Sequence, residues 1–377
     1  MFLFEKLLLP LPPSNHSPIT MINSFTHIFS TKISAQNPSS LIPHRGIIGG
    51  LLFITLLPLL FSCRPDAPAA VMPRMLFEQG SYPHAVFHNG TYYFTSQSPN
   101  DDIRLAATVD LARLPQAEEH IIFNADSLGL FHAWAPEIFR IEGKWYVYFE
   151  ADNGNTDNHQ LYVIQCQGDD PLHDKWVLRD TLHTNTEWNY GIHPNVLEVG
   201  GQLYLFWSGW PKRRVEHETQ CIYVARMSNP WTVASERVLL SRPEHEWERQ
   251  WINPDGSRSA YPIYVNENPE AYLSPDGRTV CVCYSASGIW TRYHILGMLT
   301  APATSDLLDP ASWTKSVEPI LVDDNLYGAS NICIIPSANP DSTYLLFDAL
   351  WERDGQERRS IFLKTISWGP DGRPVFK

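Results

Sequence analysis

The chain of 377 residues predicts an all-β fold, a five-bladed β-propeller of four-stranded antiparallel blades. Two observations carry that expectation. One short phrase recurs five times, and helical periodicity is nearly absent between the copies. The copies read PHAVFHNGTYYFTSQ (83–97), PEIFRIEGKWYVYFEAD (136–152), PNVLEVGGQLYLFWSGW (194–210), PEAYLSPDGRTVCVCYSAS (269–287) and, more loosely, ICIIPSANPDSTYLLFDAL (332–350). Each is a short apolar strand, a turn with Gly, Asn or Asp, and an alternating strand rich in aromatic or β-branched residues, which is a hairpin signature. Recurrence every 50 to 75 residues makes each hairpin the start of its own sheet.

Outer strands are expected between the copies, at 103–108, 161–166, 221–227, 294–300 and 361–366. Fourth strands follow near Trp176-Val177-Leu178, Trp231-Thr232-Val233 and Trp313-Thr314. The segment 241–265, with Trp247, Trp251 and Tyr261, is too long and aromatic for a passive loop and is expected to cover one end of the fold.

Upstream of the repeats, residues 46–62 form an apolar run after His44 and Arg45, ending at Leu60-Phe61-Ser62-Cys63. A basic n-region, an apolar h-region and a small residue before the cleavage point describe a secretory signal. Cys63 in that position resembles the lipid-attachment cysteine of bacterial lipoproteins. A single transmembrane helix is the competing reading; about 17 residues with Pro58 inside them are marginal for spanning. Residues 1–63 are therefore read as an extension plus lipoprotein-type signal, 64–75 as a Pro/Ala linker, and 76–377 as the propeller. The expected location is the envelope of a bacterium, anchored by lipid alone.

A net charge of −13 without a basic stripe argues against nucleic acid as a partner. The 13 Trp and 16 Tyr fill cores and also offer flat faces to sugar rings. Cys166, Cys221, Cys281, Cys283 and Cys333 sit in apolar strand-like runs and show no disulfide framework and no metal-ligand spacing.

In a propeller the first strands line one axis, so residues at their starts converge on one mouth. That criterion selects Tyr82 and His84, Trp134 and Glu137, Asn189 and His193, Asn266 and Glu267, and Ser330 and Asn331. Ionisable groups around one axis under an aromatic lid describe a site for a small polar ligand. Trp210, Trp251 and Trp290 are further candidates for stacking on sugar rings.

Several of these segments resemble glycoside hydrolase family 43. His132-Ala133-Trp134-Ala135-Pro136-Glu137 with Gly143-Lys144-Trp145-Tyr146 is similar to that family's second blade. Val265-Asn266-Glu267-Asn268-Pro269 with Tyr284-Ser285-Ala286-Ser287 is similar to its fourth. The ending 368–376 also resembles members. The resemblance implies an inverting glycosidase, in which two carboxyls roughly 6.5–9.5 Å apart serve as acid and base. It implies that Glu267 is the general acid, acting on arabinofuranoside or xyloside side chains of a polysaccharide, in a monomer. Three positions depart from the family pattern. The base Asp falls at Tyr82, a modulating Asp at His193, and a central His at Ser330. An axial Ca²⁺ is implied only weakly once that His is gone, and no other cofactor is expected.

The base then has to be another group at the mouth, with Glu137 and His193 best placed and Glu78 or Asp152 behind them. Tyr82, His84, Trp134, Asn189, Trp210, Asn266, Trp290, Ser330 and Asn331 would contact substrate. Two other readings stay open on the same residues. One is a non-catalytic glycan-binding lipoprotein. The other is β-elimination from a uronide, with Tyr82 and His84 or His193 moving protons and Arg213, Arg214 or Arg292 holding the carboxylate.

Overall fold

The computed structural model describes residues 73–184, 190–212, 218–250, 263–320, 326–336, 342–353 and 356–376. The expectations placed on residues 1–72, with Cys63, and on Asn189, Arg213, Arg214, Trp251 and Tyr261 lie outside them. Among the described residues no helix is long and apolar enough to cross a membrane.

The first strand, β1 (Arg74–Phe77), takes in two residues that composition assigns to the linker. Then β2 (His84–His88), β3 (Thr91–Thr95), β4 (Asp102–Thr108) and β5 (Glu119–Asn124) form an antiparallel sheet in chain order. The second sheet repeats the pattern with β6 (Phe131–Ile141), β7 (Lys144–Asp152), β8 (Gln160–Cys166) and β9 (Trp176–Leu182). In the third copy β10 (Ile192–Val199), β11 (Gln202–Gly209) and β12 (Glu218–Asn229) pair in turn. Short β13 (Thr232–Val233) and β14 (Val238–Ser241) flank β12. The fourth comprises β15 (Ile263–Leu273), β16 (Thr279–Ala286), β17 (Ile295–Pro302) and β18 (Thr314–Lys315). In the fifth, β19 (Tyr327–Pro336), β20 (Thr343–Arg353) and β21 (Gln356–Trp368) carry β22 (Pro374–Val375) and, from the start of the domain, β1.

Among the described residues the hydrogen-bonded sheets number four rather than five. A short parallel pairing of β12 with β15, from Glu218↔Ile263 to Gln220↔Val265, joins the third and fourth copies into one nine-stranded sheet. First strands of successive copies touch in turn: β2 with β6, β6 with β10, β10 with β15, β15 with β19, and β19 with β2.

Alternation in each strand gives both faces of a sheet an apolar half, and the halves meet between neighbouring copies. Ile103 and Leu105 pack with Val147 and Phe149, and Tyr148 and Val163 with Leu205 and Trp207. Phe206 and Ile222 pack with Val282 and Tyr284, and Cys283 and Leu296 with Phe347 and Phe362. Leu346 and Leu363 pack with Tyr92 and Phe94. This accounts for most of the aromatic content. Three of the repeated hairpins turn through residue pairs with positive φ, Asn89-Gly90, Glu142-Gly143 and Gly200-Gly201, as a tight hairpin of this twist requires.

A second five-fold feature places the site. Tyr82, Ala135, His193, Asn268 and Asn331 all have positive φ, between 41° and 54°. Four of them directly precede proline, where the extended region is the normal choice. Register slips at this point in four copies, between Trp134/Glu137, Ile192/Asn195, Glu267/Glu270 and Ser330/Cys333. Bulges of this kind re-aim side chains. Here the bulge splits each repeat into residues at the strand start and residues deeper along the strand.

Candidate active site

The deeper layer holds His84, Glu137, Asn195, Glu270 and Cys333, one from each copy and all buried. Asn195 Nδ2 donates to Glu137 Oε2 and Glu270 Oε2, 2.8 Å each, and its Oδ1 accepts the Ala271 N–H. Burial pushes both carboxyls up, Glu270 to about 8 and Glu137 well above its usual range, where the neighbouring Glu270 adds to the effect. His84 and Glu137, expected at the mouth, are thus a layer below it.

His84, Glu270 and Cys333 are close enough to suggest a metal site. Their donor chemistry opposes that. His84 Nδ1 accepts the Ile138 N–H at 3.2 Å, so the neutral ring carries its hydrogen on Nε2 and has no lone pair left for a metal. Its Nε2 lies 3.8 Å from Glu137 Oε2, and burial drives the ring down to about 3, so it stays neutral.

At the strand starts lie Tyr82, His193, Glu267, Ser330 and Asn331. The Tyr82 and His193 rings pack 5.0 Å apart. His193 is fixed by three contacts. Its Nδ1 accepts the Asn268 N–H at 3.1 Å, its own N–H goes to Glu150 Oε2 at 2.9 Å, and its Nε2 is 3.6 Å from Glu150 Oε1. The ring is therefore a neutral Nε2–H tautomer facing Glu150, and burial, His294 and His159 lower it to about 3. Such a ring cannot accept a proton from water, which removes His193 from the candidate bases.

Burial holds the Tyr82 phenol well above 10, three buried carboxyls, Glu267, Asp348 and Glu150, add to the shift, and Arg359 opposes it. Glu267 is pushed up to about 8 by burial, with Arg359 opposing and Asp348 reinforcing the shift. Glu150 also rises to about 8, by burial, with the His193 N–H opposing and Glu267 reinforcing. Asp348 is bound on all sides. It accepts from Arg359 Nε at 3.0 Å and from Arg359 Nη2, from Asn331 Nδ2 at 3.0 Å to each oxygen, and from the Tyr82 N–H at 2.8 Å.

Glu150 and Asp348 were not singled out from the sequence because they sit on second strands, β7 and β20, opposite Trp134 and Ser330 in register. Reading only first-strand starts misses them. Arg359, on the third strand β21, is missed for the same reason.

Ser330 faces Arg359, whose Nη2 donates to Ser330 Oγ and to the Gly328 carbonyl, both at 2.7 Å. The oxygens that could hold a hard axial cation, Ser330 Oγ, Gly328 O and Asp348 Oδ1, thus already surround a guanidinium. A Ca²⁺ in their midst would meet its positive charge at contact, so these residues do not fit one.

The remaining candidates divide. Trp134 is half-buried, its ring 4.5 Å from His159, and Trp290 is 40% exposed. Trp210 is buried against Tyr190 with ring centroids 3.7 Å apart, so it presents no open face. Asn266 points away from the mouth: its Nδ2 donates to Ser241 Oγ at 2.9 Å and Glu248 Oε1 at 3.0 Å. Glu248 also receives Tyr284 Oη and Lys315 Nζ, which anchors the described start of the 241–265 segment.

Comparison with known proteins places these residues in a family. Residues 79–374 match glycosyl hydrolases family 43. An extracellular exo-alpha-(1->5)-L-arabinofuranosidase of Streptomyces avermitilis is 30% identical over 346 residues, 88% of this chain and 68% of that protein. Alpha-L-arabinofuranosidase 43 of Humicola insolens is 29% identical over 327 residues, 83% of this chain and 65% of that protein. Among solved structures, an alpha-L-arabinofuranosidase from Lactobacillus brevis superposes with a TM-score of 0.70 and 27% identity, over 79% of this chain and 94% of that one. With a match spanning every copy of the repeat, the chain belongs to glycosyl hydrolases family 43 and is a glycosidase acting on O-glycosyl bonds.

Proposed function

We propose that the protein is an exported glycosidase releasing arabinofuranosyl-type or xylosyl-type residues from polysaccharide side chains, on a five-bladed propeller whose last blade is completed by β1. The cycle of contacts among first strands and the five inter-sheet cores support the closed arrangement. Export and lipid attachment rest on the signal-like run before Cys63.

The observation that carries the mechanism is Glu267: a buried carboxyl at a strand start, held up to about 8 and thus protonated at neutral pH, as a general acid must be. It protonates the leaving oxygen. The base is a non-standard one. Glu137 is held in the deeper layer by Asn195, His193 has no free lone pair, and Asp348 is occupied by Arg359 and Asn331. Glu150 Oε1, in contrast, accepts no hydrogen bond among the described residues. We assign it the base role through Tyr82, which is half-buried. Glu150 and Glu267 are both held near 8, so the reactive form is the one in which Glu150 has given up its proton and Glu267 keeps its own, a form most populated near pH 8. Water attacks the anomeric carbon and gives its proton to the Tyr82 hydroxyl as the phenol proton passes to ionised Glu150, on whose unbonded Oε1 the hydroxyl has to close when substrate binds. The phenol is never left ionised, consistent with its raised pKa. This displacement inverts the anomeric centre. Trp134 and Trp290 offer the faces on which sugar rings stack.

Elimination from a uronide loses its two histidines as proton acceptors in this arrangement, because both His84 and His193 spend Nδ1 on a backbone N–H. Incubation with a panel of arabinan- and xylan-type glycans tests the reading. Release of monosaccharide in large excess over protein supports it. Binding without release supports a glycan-binding protein instead.

A further inference from the structure

Arg359 and Asp348 form the most heavily hydrogen-bonded charged pair near the mouth, and the proton transfers proposed above do not use it. The guanidinium donates to Asp348, Ser330 Oγ and the Gly328 carbonyl, and through Nη1 to the Ile289 carbonyl at 3.2 Å. Its backbone carbonyl accepts the Gly80 N–H at 3.0 Å. Asp348 in turn holds the N–H of Tyr82, a residue kept at φ 52°, where only an external tie sustains a bulky side chain before proline. One pair therefore touches the stretch that presents Tyr82, the start of β19 and the loop that carries Trp290.

We propose that Arg359 and Asp348 are positioning residues, a fixed cation–anion pair that sets the proton on Glu267 and the pose of Tyr82 without touching substrate. This rests on the reading of Glu267 as general acid. Asp348 is buried and the Arg359 side chain is only 13% exposed, so their charges act at short range with little screening by water. Glu267 lies opposite Ser285 in register, the Ser285 hydroxyl bonds Asn331, and Asn331 bonds both Asp348 oxygens. Glu267 and the pair thus share one cluster, in which Arg359 favours the ionised form of Glu267 and Asp348 the protonated form. Held together, they leave Glu267 protonated at neutral pH without trapping the proton. The other groups facing this region are Tyr82, Glu150 on β7, His193 on β10 and His294 after β16. Both histidines stay neutral, lowered to about 3. Burial raises Glu267, and the pair sets the balance on top of it.

The test is the pH profile of kcat/KM on an aryl arabinofuranoside, whose alkaline limb reports Glu267 in the free enzyme. Asp348→Asn keeps the shape and an acceptor for the Tyr82 N–H while removing the negative charge. It is expected to move the limb down by about 1 pH unit. Arg359→Gln is expected to move it up, and Arg359→Lys, which keeps the charge, to leave it near the wild-type position. If Arg359→Gln does not fold, Asp348→Asn against Arg359→Lys carries the test. Equal shifts in those two, or no shift in Asp348→Asn, overturn the proposal. Infrared titration of the Glu267 carboxyl, identified by difference from Glu267→Gln, reads the same shifts without turnover. Absence of any hydrolysis would therefore sink the glycosidase reading while leaving the pair's effect on Glu267 measurable.

Discussion

Glu270→Gln removes one ionisable group from the deeper layer while keeping side-chain shape and an acceptor for Asn195 Nδ2. In the folded protein Glu270 sits at about 8, against 4.5 for an unburied glutamate. The native state therefore holds its proton where the unfolded chain has released it. Stability contributed by this group is fully present below pH 4.5 and is lost as pH rises through 8. At about 1.4 kcal/mol per pH unit, one isolated carboxyl would lose roughly 5 kcal/mol across that window. Glu137 shares the network through Asn195, so the two titrate as a pair and the effect assigned to either is smaller, on the order of 2–4 kcal/mol. Urea unfolding at pH 5 and pH 8 measures it. Wild type should lose stability between the two, and Glu270→Gln should lose less, ending more stable than wild type at pH 8. A variant whose loss equals that of wild type would refute the burial argument for this layer.

His193→Ala strips the acceptor from the buried Asn268 N–H and the donor facing Glu150. It should cost about 1–3 kcal/mol in thermal unfolding and lower kcat, since Tyr82 loses the ring it packs against. Unchanged melting would mean that His193 is not bonded as described. The five described cysteines are free and buried, with Cys221 pushed up to about 11 and Cys281 to about 12. A thiol reagent at pH 8 should label none of them in the native protein and all five after denaturation. Fast native labelling of any one would contradict their placement.

The recurring phrase made the hairpins and third strands legible, because a period of two and Gly-rich turns are local signals. β8 begins one residue before its expected position and β4 likewise. The joining of the third and fourth copies through β12 and β15 was not legible. Parallel pairing across a long insertion leaves no local pattern. β1 was hidden for a related reason, since its partner β21 lies at the other end of the chain. Position within the repeat brings Glu267, Tyr82 and His193 to the same end of the strands, because chain direction alone gathers strand starts together. His84 and Glu137 lie one layer deeper than that position implies, because the positive φ at Tyr82 and Ala135 and the bulge between Trp134 and Glu137 cannot be read from residue spacing. Asn266 looked like a site residue for the opposite reason: alternation puts its side chain on the far face from Glu267. Glu150, Asp348 and Arg359 escaped entirely, since their relevance comes from cross-strand register and from ion pairing between strands.

The central claim is that Glu267 delivers the proton to the leaving group. Hydrolysis of an aryl arabinofuranoside with a poor leaving group, wild type against Glu267→Gln, tests it most directly. The account predicts turnover by wild type and a loss of at least about 100-fold in kcat for Glu267→Gln, with oligosaccharide binding retained. Equal kcat in the two proteins, with both folded, would contradict it.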